Sequence, residues 1–152
     1  MRLDHYTLRT RKPEETVNFY TTVLGMKEGW RPPFKFPGHW LYIGETPVVH
    51  IITIGDDEKA ARDYVGEHKE GPGSGSLDHI AFRCQGLSGY QDRLLKLGVT
   101  FHERVVPNVE QHQLFIMDPN GVRIELAFDA SESTGIRGEA MPQSKLKEPA
   151  KA

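Results

Sequence analysis

The chain has 152 residues, 38% of them hydrophobic and 26% charged, with a formal net charge of −2 and one cysteine, Cys84. At this length a core burying roughly 70% of the unfolded surface is attainable without staples, and 19 Lys+Arg against 21 Asp+Glu argues against a nucleic-acid or anionic-membrane partner. A lone cysteine excludes an intrachain disulfide framework or Cys-rich zinc module, and no apolar run nears the ~20 residues of a membrane span, so a cytoplasmic chain acting on a small molecule is expected.

Leu3–Arg9 alternates as a strand. Pro13, Glu14 and Glu15 suit a first helical turn, Val17, Tyr20 and Leu24 mark one helix face, and Gly25 stops it. A short strand at about Lys27–Trp30 precedes a hairpin of His39–Ile43 with Pro47–Ile54. Gly55–Ser76 is a polar linker with a short helix over Asp57–Glu67. It ends in Gly71-Pro72-Gly73-Ser74-Gly75-Ser76, which lacks the strand-before, helix-after setting of a phosphate loop. Leu77–Cys84 is again a strand. Ser88 is the expected N-cap of a helix whose face is Tyr90, Leu94 and Leu97, with Gly98 as its stop. Thr100–Val106 and a hairpin of His112–Met117 with Val122–Phe128, turning at Asp118-Pro119-Asn120-Gly121, complete the pattern. Residues 130–152 show no periodicity and read as a tail available to a partner chain.

The two halves repeat. Leu3-Asp4-His5-Tyr6-Thr7-Leu8-Arg9 recurs about 74 residues later as Leu77-Asp78-His79-Ile80-Ala81-Phe82-Arg83. Leu24-Gly25 answers Leu97-Gly98, the turn Gly44–Pro47 answers Asp118–Gly121, and His50 answers Glu125 at a nearly constant offset. Such an ordered series marks one strand-helix-three-strand unit written twice. The expected fold is α+β: module one over 1–54, a linker over 55–76 and module two over 77–129, together a single domain over 1–129.

Each copy places polar residues where a buried strand does not want them: His5 and His79 on the first strands, His50 and Glu125 on the last. A carboxylate within the apolar run Ile124-Glu125-Leu126-Ala127 calls for a metal or an ion pair. Imidazoles with one carboxylate suit a borderline divalent ion such as Fe, Mn, Ni or Zn. With a four-residue Asp118–Gly121 loop, His112 opposes Ala127 and shares the Glu125 face. Equivalent counting has His39 oppose Ile52 and share the His50 face. His39 and His112 are therefore expected as proton-handling residues on the concave face. Arg9 and Arg83 are candidate substrate-carboxylate donors as well as ion-pairing strand ends, and Phe34 and Phe36 are candidate aromatic contacts. His68 and His102 are expected to be solvated bystanders, and Cys84 a small core residue.

The duplication, with Leu-Asp-His opening both halves and Asp118-Pro119-Asn120-Gly121-Val122-Arg123-Ile124-Glu125-Leu126 closing the second, resembles the vicinal oxygen chelate superfamily. That superfamily includes glyoxalase I, extradiol ring-cleaving dioxygenases and bleomycin-binding proteins. The resemblance covers about Met1 to Asp129. It implies tandem βαβββ modules forming a cupped, curved mixed sheet, a glyoxalase/dioxygenase-like fold closed around one divalent metal, and a homodimer. The metal residues it implies are His5, His79 and Glu125, with His50 as a fourth candidate. The presence of these residues argues for an enzyme binding vicinal oxygens of a small, oxygenated and in one version aromatic substrate. Since His39 and His112 suit catechol deprotonation, an extradiol-type ring-cleaving dioxygenase using Fe(II) is expected first. A glyoxalase I-like lyase or isomerase is the alternative, and a metal-free binding or resistance protein comes third.

Overall fold

The structure, a computed structural model, describes residues 1–55, 58–67, 71, 73–106 and 109–141; His68 lies outside them. The chain divides into two compact units, Met1–Asp78 with Met117–Val122, and His79–Ile116 with the residues from Arg123 onward. Each carries a curved mixed sheet under a helix, the α+β class expected from the repeat. Among the described residues no helix is long and apolar enough to cross a membrane.

In the first unit β1 (Tyr6–Thr10), β2 (Lys27–Gly29), β3 (Gly38–Ile43) and β4 (Thr46–Thr53) form a sheet of order β1-β4-β3-β2. β1 runs parallel to β4 and the other pairs are antiparallel. Gly44 and Glu45 alone join β3 to β4, and Gly44 takes φ 58, the left-handed backbone that two-residue hairpin turns demand. The helix α1 (Pro13–Asn18) opens on Pro13 with Glu14 and Glu15 in its first turn, then passes into a π-helical turn over Phe19–Val23. That turn buries Phe19, Tyr20 and Val23, which join Leu41, Val49 and Ile51 in the core. Tyr20 is fully buried and donates its hydroxyl to Asp118 Oδ2 at 3.0 Å. Burial pushes its ionisation far up, so the proton stays in place. The Asp118 carboxylate is also the organiser of its turn, accepting the Asn120 and Val122 N–H groups at 2.8 Å each.

α2 (Lys59–Val65) is shorter than the linker helix expected at 57–67. Its C-terminal carbonyls are met by Arg9, whose Nη2 donates to Gly66 O at 2.8 Å. Arg9, a candidate substrate contact in the sequence, thus closes a helix end, where a cation complements the dipole.

In the second unit β5 (His79–Arg83), β6 (His102–Val106), β7 (Gln111–Met117), β8 (Arg123–Asp129) and β9 (Glu139–Ala140) form a sheet of order β5-β8-β7-β6-β9. The helix α3 (Leu87–Lys96) buries Leu87, Gln91 and Leu94. Its N-terminus is not capped by Ser88. Gly86 is the N-cap, and the Gly86 and Leu87 N–H groups donate to Glu132 Oε2 at 2.6 and 2.9 Å. A remote carboxylate therefore performs the capping task and complements the helix dipole. Glu132→Ala is expected to cost about 1 kcal/mol in urea unfolding while Ser88→Ala shifts the midpoint little; the reverse order would refute the capping assignment.

The residues read as a tail are, up to Met141, part of this second unit. A 3-10 turn over Ala130–Glu132 leads to β9, which pairs parallel with β6. Beneath it Glu103, fully buried, accepts from Gln91 Nε2 at 2.7 Å, His112 Nε2 at 2.6 Å, Arg137 N at 2.8 Å and Gly138 N. Periodicity cannot reveal such a strap, because backbone N–H groups on a buried carboxylate hold it rather than an apolar face. His102 pairs with Glu139 across the strap at 2.8 Å, and both side chains are exposed. Cys84 is half-buried, with its thiol pushed up by burial.

Candidate active site

Which side chains share a front face is decided by register. In β3–β4, His50 opposes Trp40 and His39 opposes Ile51, with a bulge between Leu41 and Tyr42. The two-residue turn and the bulge shift the pairing by one position from the count made on the sequence. A one-residue slip turns every side chain over. Trp40 therefore joins His50, while His39, expected on the His50 face, sits on the other, its Nδ1 2.6 Å from Glu28 Oε1.

The same slip occurs in the second hairpin. Gln113 Nε2 donates to Glu125 Oε1 at 2.8 Å, so Gln113, not its neighbour His112, shares the Glu125 face. His112 is fully buried on the opposite side, between Glu103 Oε2 and Ser133 Oγ at 2.9 Å from Nδ1. Neither histidine expected to handle protons reaches a front face. Arg83 is exposed, and its charge lies near Asp129.

On the front of the first unit three rings stack. His5 and His50 lie 3.9 Å apart between centroids at 19°, and His50 and Trp40 3.9 Å apart at 6°. Asp4 Oδ2 is 2.8 Å from His5 Nδ1; an imidazole N–H given to a carboxylate fixes the tautomer and leaves Nε2 as an electron-pair donor. His50 Nε2 is buried without a hydrogen-bond partner among the described residues. Burial, followed by the charge of His5, holds the His50 imidazole below its usual range, which favours the neutral ring. These rings border a cavity of about 470 Å³ whose other walls include Arg31, Phe34, Phe36 and Tyr64. Phe34 and Phe36, expected as substrate contacts, both lie on it.

The front of the second unit carries a different set. His79 Nε2 stands 3.0 Å from Glu125 Oε2, the carboxylate only 8% exposed. Gln113 links Glu125 to Arg104, whose Nε donates to Gln113 Oε1 at 2.6 Å. Phe115 meets His79 edge-on at 6.0 Å, with the Arg104 and Arg123 guanidinium groups over its ring. Gln113 was missed by the sequence reading for the reason that misplaced His112: the hairpin was counted one residue out.

Among the described residues no group of three or more His, Cys, Asp or Glu side chains stands close enough to hold a metal ion. The expected ligands are found as two pairs, His5 with His50 and His79 with Glu125. The donor chemistry nonetheless fits a borderline divalent ion. His79 and Glu125 present nitrogen and oxygen at one point of a largely buried surface, and His5 has the carboxylate-oriented imidazole common to metal-binding histidines.

The sequence profile of the Glyoxalase/Bleomycin resistance protein/Dioxygenase superfamily matches residues 2–126. Among curated proteins, Glyoxylase I 4 of Arabidopsis thaliana is 28% identical over 127 residues, 82% of this chain and 68% of that protein. A solved glyoxalase-family structure from Bacillus anthracis superposes with TM-score 0.64 at 23% identity, covering 85% of this chain and 95% of that one. The lactoylglutathione lyase of Agrobacterium tumefaciens does so with TM-score 0.61 at 18% identity, covering 82% and 90%. These structural likenesses speak for the fold.

Proposed function

The chain belongs to the Glyoxalase/Bleomycin resistance protein/Dioxygenase superfamily, and from that footing we propose that it is a metal-dependent lyase or isomerase of the glyoxalase I type. The substrate class is the thiohemiacetal of a 2-oxoaldehyde, in which a hydrogen moves from the thiol-bearing carbon to its neighbour, yielding a 2-hydroxyacyl thioester without net oxidation. The observation that carries this choice over ring cleavage is the location of His112. It is buried on the back of its sheet and occupied by Glu103 and Ser133, while His39 is engaged by Glu28. The acid-base pair that favoured a dioxygenase is therefore absent from the front faces. The curated relative, a glyoxylase I by name, supports the same choice.

His79 and Glu125, which meet in the second unit, are the residues proposed to donate to the metal. A divalent ion bound by such donors supplies Lewis acidity to the adjacent oxygens of the substrate. His50 is the proposed proton acceptor. Its Nε2 is unpartnered at the wall of the cavity, and its surroundings favour the neutral ring that can take a proton. Gln113 holds Glu125 by hydrogen bonding and keeps its second oxygen directed at His79.

The test is isomerisation of thiohemiacetals made from methylglyoxal or phenylglyoxal with a panel of thiols, followed by thioester absorbance on divalent-loaded protein. Turnover is expected, and His50→Gln should reduce kcat by about 10²-fold or more while metal content stays unchanged. Oxygen uptake with catechols and no thioester formation would overturn the assignment in favour of ring cleavage.

A further inference from the structure

Resting on the reading of the first unit's cavity as the place where substrate is held, we propose that this cavity selects a planar aromatic group bearing a carboxylate, and that Arg31 reads the carboxylate. The cavity's volume of about 470 Å³ lies within the ~300–1,000 Å³ of small-ligand pockets, which is ample for one or two fused rings. Its apolar boundary is aromatic on both sides. Trp40 stands in the ring stack on the sheet, and Phe34 faces it at 6.3 Å, stacks on Phe36 at 5.2 Å and tilts against Tyr64 at 4.9 Å. Phe36 is buried with Ile52 and Ala61 as a floor. Flat faces and edges of this kind favour another ring over a branched aliphatic group.

Arg31 is the polar element in this wall that its surroundings leave underused. Its Nη2 donates to Phe36 O at 2.9 Å, and its guanidinium carbon lies 4.8 and 5.1 Å from the Phe34 and Phe36 centroids. Among the described residues it has no carboxylate partner. A guanidinium has five N–H donors, so most of its donors are left for something else. Burial pushes its ionisation down from the ordinary arginine range, a mark of a cation partly stripped of water. Cation–π contact with the two rings holds the group at the cavity wall. The backbone keeps the group there. A Cβ on Gly38 would lie 2.2 Å from Ile51 O and 3.3 Å from Arg31 Nε, so the close approach of β3 to β4 at that point admits only glycine and leaves the Arg31 side chain its space. A bidentate carboxylate is the ligand that such a fork matches.

The experiment is direct binding to the full chain, by calorimetry and by quenching of tryptophan fluorescence, with 2-naphthoate, 2-naphthalenemethanol and acetate as probes. 2-Naphthoate is expected to bind at least about tenfold more tightly than the neutral alcohol, and acetate not measurably. Arg31→Gln should abolish the difference between the two ring compounds while retaining the alcohol's affinity, and Phe34→Ala should weaken both. Equal binding of naphthoate and alcohol to the wild type would overturn the proposal, as would an Arg31→Gln variant that keeps the preference. Repeating the titration with chelator present separates the source of carboxylate binding: naphthoate affinity lost on chelation but intact in Arg31→Gln assigns the carboxylate to a metal and refutes the role of Arg31. Turnover is not read in these titrations, so failure of the isomerase assay and failure of this pocket assignment are distinguishable.

Discussion

Replacing Glu103 with alanine is expected to lower the free energy of unfolding by about 3–5 kcal/mol, the range for removing one partner of a buried charged network. The carboxylate is fully buried and accepts from two side chains and two strap backbone groups. Its removal strands His112, Gln91 and the Arg137 and Gly138 N–H groups together. The loss should appear as a lower urea midpoint, accompanied by faster amide exchange at Arg137 and Gly138. Glu103→Gln, which keeps shape and acceptor oxygen but not charge, is expected to fall between. Equal stability of Glu103→Ala and wild type would show that the strap is not held by this group.

The same carboxylate sets a pH dependence. Burial by itself would raise its ionisation, but the Gly138 and Arg137 N–H groups, then Gln91 and His112, outweigh it and hold the group below its usual 4.5. A folded value below the unfolded one gives stability that is complete above the unfolded value and lost as pH falls through the folded value. The stability gap between wild type and Glu103→Gln should therefore be constant from about pH 6 to 7 and shrink below about pH 4.5. A gap that widens with acid would contradict the assignment.

Glu125→Ala is expected to strip the protein of divalent metal and reduce thiohemiacetal turnover by at least about 10³-fold. The folded state should survive, since the residue faces the front of its sheet and not the apolar back. His79→Ala should show the same loss by elemental analysis. Gln113→Ala, which removes only the hydrogen bond orienting Glu125, is expected to weaken metal affinity about 10–100-fold, as outer-shell partners do. Unchanged metal content in Glu125→Ala would end the proposal that this residue is a metal donor.

Much of the architecture was legible in the sequence because the repeat supplied two independent readings of each element. The alternation in Leu3–Arg9 and Leu77–Cys84, the Pro13-Glu14-Glu15 start and the Asp118–Gly121 turn each name a local structure through a local cause. What was not legible was parity. Whether His39 or Trp40 stands beside His50 depends on a bulge at Leu41/Tyr42 and on a two-residue turn. Neither carries a signal stronger than the alternation around it. In the second hairpin a one-residue difference in pairing likewise puts Gln113, and not His112, beside Glu125. The strap and the Glu132 cap were invisible on different grounds, since they join residues about 35 to 46 positions apart through backbone N–H groups, which every sequence possesses.

The bulge in the β3–β4 hairpin makes strand register a chemical variable. Pairing carried on from the two-residue turn without it would set His39, not Trp40, opposite His50. That would exchange an apolar indole for a titratable imidazole within one cavity wall while leaving the amino-acid inventory of that strand unchanged. A lineage carrying this fold could in that way alter the acid-base character of its pocket through a slip of register with no substitution in the pocket, and relatives compared only column by column would hide the change.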